Sequence, residues 1–405
     1  MRRSKAEALC LLKYARGFDV KDDCTSTEGR TWLMGDVLHS RPLVINYGGS
    51  TTNPDVRLFF GSNDGYFRMI RNTTSGGNES GEEIWGFMPR AVMGNLSLLK
   101  ADGEGAHPYG VDGVPSAYIF DSDLDGNIET ADGDKVWVFF GLRRGGEAFY
   151  ALDVSTPDSP SLLWRIESTD TDFTELGLSF SRPQVTMLQW DDDGNAATDP
   201  VTKPVVIFGG GYDLDKDRVV AGDPSPMGDD DEGNALFVVD AATGDLVWKA
   251  TKGTSTATST NFQSSNLLDS IPSDVALLDI NDDGAVDRVY VGDTGGVLWR
   301  VNFTGNDRTQ WNMLPLLSVG RHSEGGTGPD RRFLHRPDIA LSNDGNGNSE
   351  AVCSVRGIGK IHWSSLFRMS STCSRIGALR SAVVPKPEPF APVRIGRSNE
   401  QLFTG

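Results

Sequence analysis

Short apolar runs recur along the chain, separated by polar turns that are rich in glycine. A repeating unit starts with a proline and an apolar run, passes through a polar loop to a run ending in aromatic-Gly or Val-Gly, and continues after a glycine-containing turn. Runs of this length and composition are typical of β-strands. Two units extend through "FYALDVSTPDSPSLLW" and "NALFVVDAATGDLVW", which add a turn and a run ending in tryptophan. The pattern predicts about four strands per unit.

The unit begins five times, and its openings align. "SRPLV" from Ser40 matches "SRPQV" from Ser181, and both lead to a run that closes on Phe-Gly. The other units begin at Val114, Ile271 and Arg336. The spacing of their prolines exceeds the ~40–50 residues of a compact propeller blade. Insertions or unrecognised blades must therefore fill the gaps.

A four-stranded meander cannot bury both of its faces alone, so several units must pack face to face. Radial repetition achieves this and leaves only short, protected edges. We predict an all-β fold, a β-propeller of four-stranded antiparallel blades that is incomplete at the C-terminus; a sandwich or paired meanders is the alternative. The propeller would span residues 36–351, after a lead-in segment at 1–35 and before an atypical tail at 352–405.

The chain is acidic, with 56 Asp and Glu against 38 Lys and Arg and a net charge of −18. Such a charge repels nucleic acid and anionic lipid surfaces, so we expect no polynucleotide partner. No run reaches the ~20 apolar residues that cross a membrane. The basic start "MRRSKAEALCLLKYARG" has too short an apolar run for a signal peptide. If the protein is exported, this start is truncated or misplaced.

The four cysteines show no metal-binding spacing. Cys10, Cys24, Cys353 and Cys373 form no CxxC pair, so a metal–thiolate site is not expected. Two long-range disulfides are compatible with an oxidising compartment, and their pairing cannot be read from sequence.

The most specific chemical signal is the stretch "LLDINDDGAVDRVYVG" from Leu277. Ca²⁺ takes six to eight oxygen ligands, which a short loop supplies from side chains at positions 1, 3, 5 and 9 and a carbonyl at position 7. Gly284 allows the sharp bend at position 6, and Val286 at position 8 turns inward to anchor the loop. The predicted ligands are Asp279, Asn281, Asp283, Ala285 through its carbonyl, and Asp287. A solvated acidic turn is the alternative.

A second loop, "DSDLDGNIETAD", matches the same pattern in the second unit, with Gly126 and Ile128 in the sixth and eighth places. Its predicted ligands are Asp121, Asp123, Asp125, Asn127, Glu129 and Asp132. Because the flanks read as strands, a calmodulin-like switch is not expected. Such a metal either staples a blade or gates an interaction surface, and the sequence leaves both open.

Three other acidic stretches are weaker. "WDDDGNAATD" from Trp190 and "SNDGNGN" from Ser342 have incomplete ligand sets and are interpreted as solvated turns. "GYDLDKDRVVAGDPSPMGDDDEGN" from Gly211 is interpreted as a flexible, exposed insertion.

Motifs for catalysis are missing, since the chain has no HExxH, GxSxG, P-loop or strand-linked GxGxxG. We interpret the five histidines as ordinary turn or core residues: His39, His107, His322, His335 and His362. Arg143 and Arg144 are predicted to form a salt bridge between blades, with an anion or partner contact as the alternative. We expect no enzymatic activity.

Several long stretches together, among them "WLMGDVLHSRPLVINYG", "FFGLRRGGEAFYALDVSTPDSP" and "SIPSDVALLDINDDGAVDRVYVGDTGGVLWRV", closely resemble the C-terminal domain of the PilY/PilC family of type IV pilus tip-associated biogenesis proteins and adhesins. The resemblance covers about residues 13–351. It implies a modified seven-bladed propeller and a place at the outer membrane or pilus tip. It also implies pilus proteins and a surface receptor as partners, and roles in surface attachment and twitching.

The resemblance further implies a calcium loop that balances pilus extension against retraction, with ligands at Asp279, Asn281, Asp283, Ala285 and Asp287. The family's N-terminal adhesin region and signal peptide are missing from this sequence. After "NSEAV" the pattern breaks into a basic, Ser-rich stretch, and we hypothesise that Cys353 onward is a frameshifted or otherwise non-native tail.

A quinoprotein dehydrogenase that uses pyrroloquinoline quinone is the alternative function. Such propellers also show Asp-x-x-Thr-Gly turns followed by tryptophan and use calcium beside the quinone. They need a cofactor pocket on the propeller axis, and the vicinal cysteine pair common among them is missing here. We therefore favour a calcium-binding, non-enzymatic propeller of type IV pili.

Overall fold

The structure is a computed structural model, and it describes residues 4–31, 33–72, 74–75, 78–101, 107–192, 200–217, 228–321, 328–343, 349–359 and 363–370. Helix α1 (Lys5–Ala15) begins at Ser4, whose hydroxyl accepts the N–H of Glu7 while the Glu7 carboxylate accepts the N–H of Ser4. This reciprocal cap satisfies two N–H groups that a helix start leaves free. A disulfide joins Cys10 to Cys24 across a separation of 14 residues.

The remaining described chain is almost entirely strands. After β1 (Leu43–Ser50), β2 (Asn53–Gly61) and β3 (Phe67–Arg71), the chain forms a small separate hairpin of β4 (Thr74–Ser75) and β5 (Asn78–Glu79). The next strand, β6 (Glu82–Phe87), pairs with β3 and completes the first sheet, whose order is β1, β2, β3, β6. Helix α2 (Leu96–Ala101) leads to the second sheet, which pairs β7 (Ser116–Phe120), β8 (Lys135–Gly141), β9 (Ala148–Asp153) and β10 (Ser161–Glu167).

The third sheet pairs β11 (Gln184–Trp190), β12 (Val201–Gly209), β13 (Ala235–Asp240), β14 (Leu246–Lys252) and β15 (Asn261–Ser264). The fourth pairs β16 (Ala276–Leu278), β17 (Arg288–Gly292), β18 (Val297–Asn302) and β19 (Asn312–Ser318). The fifth is built from β20 (Arg331–Phe333), β21 (Asp338–Asn343), β22 (Ser349–Gly359) and β23 (Trp363–Ser370). Neighbouring strands are antiparallel except β14 and β15, which are parallel.

These sheets follow one another as successive propeller blades, and the predicted all-β propeller is confirmed. Five blade sheets lie within the described ranges, so the count of seven stays a prediction. The fifth sheet continues past residue 351, since β22 ends at Gly359 and β23 at Ser370. The boundary at 351 and the hypothesis of a frameshifted tail remain untested predictions, and residues 371–405 lie outside the described residues.

The core lies between the blades rather than at one centre. Successive side chains on a strand point to opposite faces, so Phe140 on β8 stacks on Phe67 of the first blade at 4.0 Å between ring centroids. Its neighbour Phe139 faces the third blade instead, in a cluster with Phe208 and Phe237. Each blade therefore contributes two apolar faces, as radial packing requires.

Tryptophans on the last strand of a blade hold the next blade. The indole N–H of Trp85 donates to the carbonyl of Pro157 at 2.7 Å, and that of Trp164 donates to the carbonyl of Ala241 at 2.9 Å. Both acceptors lie in the turn between the third and fourth strands of the following blade. Trp85 and Trp164 thus each bind the following blade through a hydrogen bond.

Candidate functional site: two acidic loops between blades

Both predicted calcium loops connect the first and second strands of a blade. The 279 loop, residues 279–287, joins β16 to β17 in the fourth blade. The 121 loop, residues 121–134, joins β7 to β8 in the second blade. The two loops therefore lie at equivalent positions of the repeat.

In the 279 loop, the side chain at the first position organises the backbone. Asp279 accepts the N–H of Asp282 at 2.7 Å through Oδ1 and the N–H of Gly284 at 2.8 Å through Oδ2. Asp282 and Gly284 both have left-handed backbone angles, with φ of +60° and +87°. Glycine adopts this conformation without steric cost because it has no Cβ. The chain thus curls around the Asp279 carboxylate.

The 121 loop has the same backbone geometry. Asp121 accepts the N–H of Leu124 at 2.7 Å and the N–H of Gly126 at 2.9 Å. Leu124 and Gly126 have φ of +60° and +86°, matching the fourth and sixth positions of the other loop. The Leu124 side chain is 85% exposed, so packing does not hold this residue in its unfavourable conformation. The loop's own hydrogen bonds do.

The middle positions bring oxygen atoms together. Oxygens from Asp121, Asp123 and Asp125 all lie within 4.8 Å of one another. In the 279 loop, the Asn281 amide donates to the Asp283 carboxylate at 2.9 Å, so these two side chains also converge. Carboxylate, amide and carbonyl oxygens are the donor set that Ca²⁺ prefers. The residues of both loops fit a calcium ion on this chemistry.

One residue of this arrangement was missed by the sequence analysis. Asp287 closes its loop by accepting the N–H of Ile280, the second loop residue, at 2.7 Å. In the 121 loop the N–H of the second residue, Ser122, goes to Asp134 at 2.8 Å, and Asp134 also accepts the N–H of Glu129 at 2.9 Å. Asp134 is only 4% exposed and directly precedes β8, as Asp287 precedes β17. Asp134 is therefore the counterpart of Asp287.

Residues 129–133 form an insertion relative to the 279 loop, and it includes the short 3₁₀ turn Thr130–Asp132. Counting from Asp121 assigned the ninth position to Glu129, because sequence alone does not show where a loop lengthens. Glu129 and Asp132 are both exposed on this insertion, and their roles as ligands stay predictions. The signal that identifies Asp134 is an acidic residue immediately before the second strand.

Each loop also attaches to the preceding blade. The N–H of Ile128, at the eighth position, donates to the carbonyl of Tyr47 on β1 at 3.1 Å. The N–H of Val286 donates in the same way to the carbonyl of Met187 on β11 at 2.9 Å. Val286 is 4% exposed, so the predicted inward anchor at the eighth position is confirmed. The loops therefore clamp the second blade to the first and the fourth to the third.

The carboxylates of the 121 loop repel one another. The charge of Asp125 raises the pKa of Glu129. The N–H of Asp125 lowers the pKa of Asp123, but desolvation and the Asp125 charge outweigh it and leave that pKa raised. By contrast, the backbone N–H groups of Glu129 and Ser122 lower the pKa of Asp134. A divalent cation among these groups would relieve the repulsion.

The predicted salt bridge was between blades and involved both arginines. Arg143 pairs at 3.4 Å with Asp112, in the segment between the first and second blades, whereas no ion pair of Arg144 is present among the described residues. The guanidinium of Arg143 also lies over the ring of Phe180, in the segment before the third blade, at 4.4 Å. Arg144 lies over the ring of Tyr109 at 5.4 Å. The two arginines thus have different contacts.

The described histidines lie outside the helices and strands. His39 contacts Asp112 at 2.8 Å and His107 contacts Asp36 at 2.8 Å. His335 is exposed. His322 and His362 lie outside the described residues.

The weaker acidic stretches are only partly described, since residues 193–199, 218–227 and 344–348 lie outside the described ranges. The insertion from Gly211 was predicted to be flexible and exposed, but this is wrong for its two ends. Lys216 is buried and pairs with Asp230 at 2.8 Å and with Asp269 at 2.6 Å. A buried ammonium needs such partners, so the insertion is anchored where it leaves and rejoins the blade.

The fold and the two oxygen-lined loops between first and second strands place this chain among candidate calcium-binding propellers. The family model of the PilY1 β-propeller domain matches residues 43–313, and the chain belongs to this family. Among the described residues, no helix has the length and apolar character needed to span a bilayer.

Curated relatives agree with this assignment. The type IV pilus biogenesis factor PilY1 of Pseudomonas aeruginosa (strain UCBPP-PA14) is 31% identical over 306 residues, which are 69% of this chain and 22% of the relative. The PilY1 homolog of Xylella fastidiosa (strain Temecula1 / ATCC 700964) is 28% identical over 356 residues, 78% of this chain and 21% of the relative. The chain thus spans roughly a fifth of these proteins.

Among solved structures, the chain is similar to the C-terminal domain of Pseudomonas aeruginosa PilY1. That similarity has 22% sequence identity and a TM-score of 0.49, and it covers 79% of this chain and 58% of the other.

Proposed function

We propose that this propeller is a calcium-dependent, non-enzymatic part of a type IV pilus biogenesis protein at the cell surface or pilus tip. In this role it contacts pilus proteins and a surface receptor, regulates pilus assembly and retraction, and supports attachment and twitching. The curated relatives are named type IV pilus biogenesis factors, which supports the assignment to the pilus machinery. The observation that carries the calcium proposal is the shared geometry of the 279 and 121 loops.

Bound Ca²⁺ supplies positive charge and accepts several oxygen ligands at once. In the 279 loop, Asp279, Asn281, Asp283 and Asp287 would hold the ion with the Ala285 carbonyl. In the 121 loop, the ligands would be Asp121, Asp123, Asp125 and Asn127, with Asp134 closing the loop and Glu129 and Asp132 on the insertion beside it.

The loops act on the fold through their eighth positions. Ile128 and Val286 each donate a backbone hydrogen bond to the preceding blade. An ion that fixes the loop conformation would therefore stabilise the junction between two blades, by mass action on the folded state. This links calcium concentration to the rigidity of the propeller surface that faces pilus partners.

Calorimetric calcium titration of wild type beside Asp279→Ala and Asp287→Ala tests the proposal, with Mg²⁺ as the control ion. The same substitutions in the full-length protein should change surface piliation and twitching. Unchanged calcium uptake in both variants would remove the 279 loop from the proposal. Quinone-dependent dye reduction by the calcium-loaded wild type would favour the dehydrogenase instead.

A further inference from the structure

A serine near the start of the first, third and fourth blades has a fixed structural role. In three blades its hydroxyl accepts the N–H of the glycine that ends the second strand, at 2.8 to 3.0 Å. These pairs are Ser40 with Gly61, Ser181 with Gly209, and Ser273 with Gly292. The residue after each serine therefore occupies an equivalent place in its blade.

That next position carries Arg41 in the first blade, Arg182 in the third and Asp274 in the fourth. In the fifth blade, Arg336 and the proline after it precede β21 as Arg41 and its proline precede β1. Radial repetition brings equivalent positions of different blades toward one axis. The repeat thus directs three arginines and one aspartate to the same region, which we call the axial arginine cluster.

The contacts around Asp274 support this convergence. The backbone N–H of Arg182 donates to the Asp274 carboxylate at 2.7 Å. Burial raises the pKa of Asp274, while the Arg182 N–H and the positive charges of Arg182, Arg336 and Arg41 act in the opposite direction. Burial lowers the pKa of Arg182, the Asp274 charge acts against this, and the positive charges of Arg336 and Arg41 lower that pKa further. Arg182, Arg336 and Arg41 therefore all lie close enough to Asp274 for their charges to act on its carboxylate.

The cluster has more positive than negative charge. Against three guanidinium groups it places one carboxylate, and no ion pair of these arginines is present among the described residues. The Nε of Arg182 is buried and has no hydrogen-bond partner in the part of the chain that the structure describes. The guanidinium groups of Arg41 and Arg336 thus repel that of Arg182, in a chain whose net charge is −18. An anion in addition to the Asp274 carboxylate would give these guanidinium groups a hydrogen-bonding and ion-pairing partner.

We propose that the axial arginine cluster binds a small polyvalent oxyanion, of the size of inorganic phosphate or a dicarboxylate. Guanidinium groups match such oxyanions with paired, charge-assisted hydrogen bonds. Arg41 and Arg336 are exposed, so the anion reaches the cluster from solvent. The bound anion links the first, third and fifth blades at one point. This site is independent of the proposed calcium loops, which lie at the opposite ends of the first strands.

The test is calorimetric titration of the whole chain with sodium phosphate, and in a second arm with sodium succinate, in calcium-free buffer. Sodium chloride at matched ionic strength is the control, because general screening affects all charges alike. We expect saturable binding of one anion per chain and a rise in unfolding temperature beyond the chloride control. The anion that binds more tightly, phosphate or succinate, shows whether the site prefers a phosphate or a dicarboxylate.

Three substitutions distinguish a binding site from an internal salt bridge. Arg41→Ala, at an exposed position, should weaken anion binding about tenfold or more. Asp274→Asn keeps an acceptor for the Arg182 N–H but removes the competing charge, so it should strengthen binding. Arg165→Ala removes an exposed arginine that pairs with Glu167 on β10 and should leave binding unchanged. Equal responses to phosphate and chloride, or weaker binding in Asp274→Asn, would overturn the proposal.

Discussion

Asp134 and Asp287 close two different loops in the same way, each by accepting the N–H of its loop's second residue, at 2.8 Å and 2.7 Å. Asp134 lies 13 residues after Asp121, the first residue of its loop, and Asp287 lies 8 residues after Asp279. The two loops have the same closing hydrogen bond but different lengths. The acid that closes each loop is therefore identified by its place directly before the second strand, and not by the number of residues from the start of the loop.

Asp134 is expected to contribute to calcium binding more than Asp132 does. Asp134→Asn keeps a hydrogen-bond acceptor but removes a charge, and we expect calcium affinity of the 121 loop to fall about tenfold, because ligand charge sets calcium affinity. Asp132→Asn is the matched control on the exposed insertion and should change affinity little. Calorimetry in an Asp279→Ala background isolates the 121 loop. A larger loss in Asp132→Asn would contradict the equivalence with Asp287.

Gly48 is expected to be essential to the junction of the first two blades. A Cβ on Gly48 would lie 2.2 Å from Oδ1 of Asn127, and its φ is +105°. Gly48→Ala should therefore destabilise the fold by about 2 kcal/mol or more, from backbone strain and overpacking.

Gly126→Ala separates these two causes, because Gly126 has φ of +86° but nothing within 4 Å of an added Cβ. It should cost about 1 kcal/mol. Gly81→Ala meets nothing within 4 Å and has no left-handed angle, so it serves as the neutral control. Urea denaturation measures all three, and equal costs for Gly48→Ala and Gly126→Ala would show that the loop contact contributes nothing.

A comparison of Trp164 with Trp248 measures how much the inter-blade hydrogen bond of Trp164 contributes to stability. Both are buried, but Trp164 donates to Ala241 while the Trp248 indole N–H has no partner among the described residues. Trp164→Phe should cost about 1 kcal/mol more than Trp248→Phe, since it also leaves a carbonyl unpaired. Denaturant unfolding of both variants tests this, and a larger loss in Trp248→Phe would assign the effect to packing alone.

Glu232 is expected to make stability depend on pH. Burial, together with the negative charges of Glu147 and Asp213, raises its pKa from an ordinary value of 4.5 to about 7. Between these values the folded state binds more protons than the unfolded state, so this group's contribution to stability falls as pH rises from 4.5 to about 7.

Glu232→Gln should remove that dependence and raise stability at pH 8 by about 1 kcal/mol, a discounted figure because solvent screens this partly exposed group. Unfolding curves at pH 5 and pH 8 measure it, with Glu167→Gln on β10 as the control. If the difference in unfolding free energy between wild type and Glu232→Gln were the same at pH 5 and pH 8, the raised pKa would be contradicted.

The sequence by itself determined the blade pattern and most of each acidic loop. Alternation of apolar and polar residues follows directly from strand geometry, and ligands at alternate positions follow from the size of a calcium ion. The curled backbone at residues 279–287 and 121–127 could therefore be predicted because its spacing is local, while the role of these residues as calcium ligands stays a prediction.

The tertiary structure decided what depends on neighbours distant in sequence. Asp134 becomes a closing residue because β8 starts where the insertion ends, and Lys216 is buried because Asp230 and Asp269 surround it. The arginines that precede separate first strands act on one carboxylate, that of Asp274, because blades repeat around an axis. The spacing of residues along the chain does not predict these contacts, because packing between blades joins residues that are tens to hundreds of positions apart.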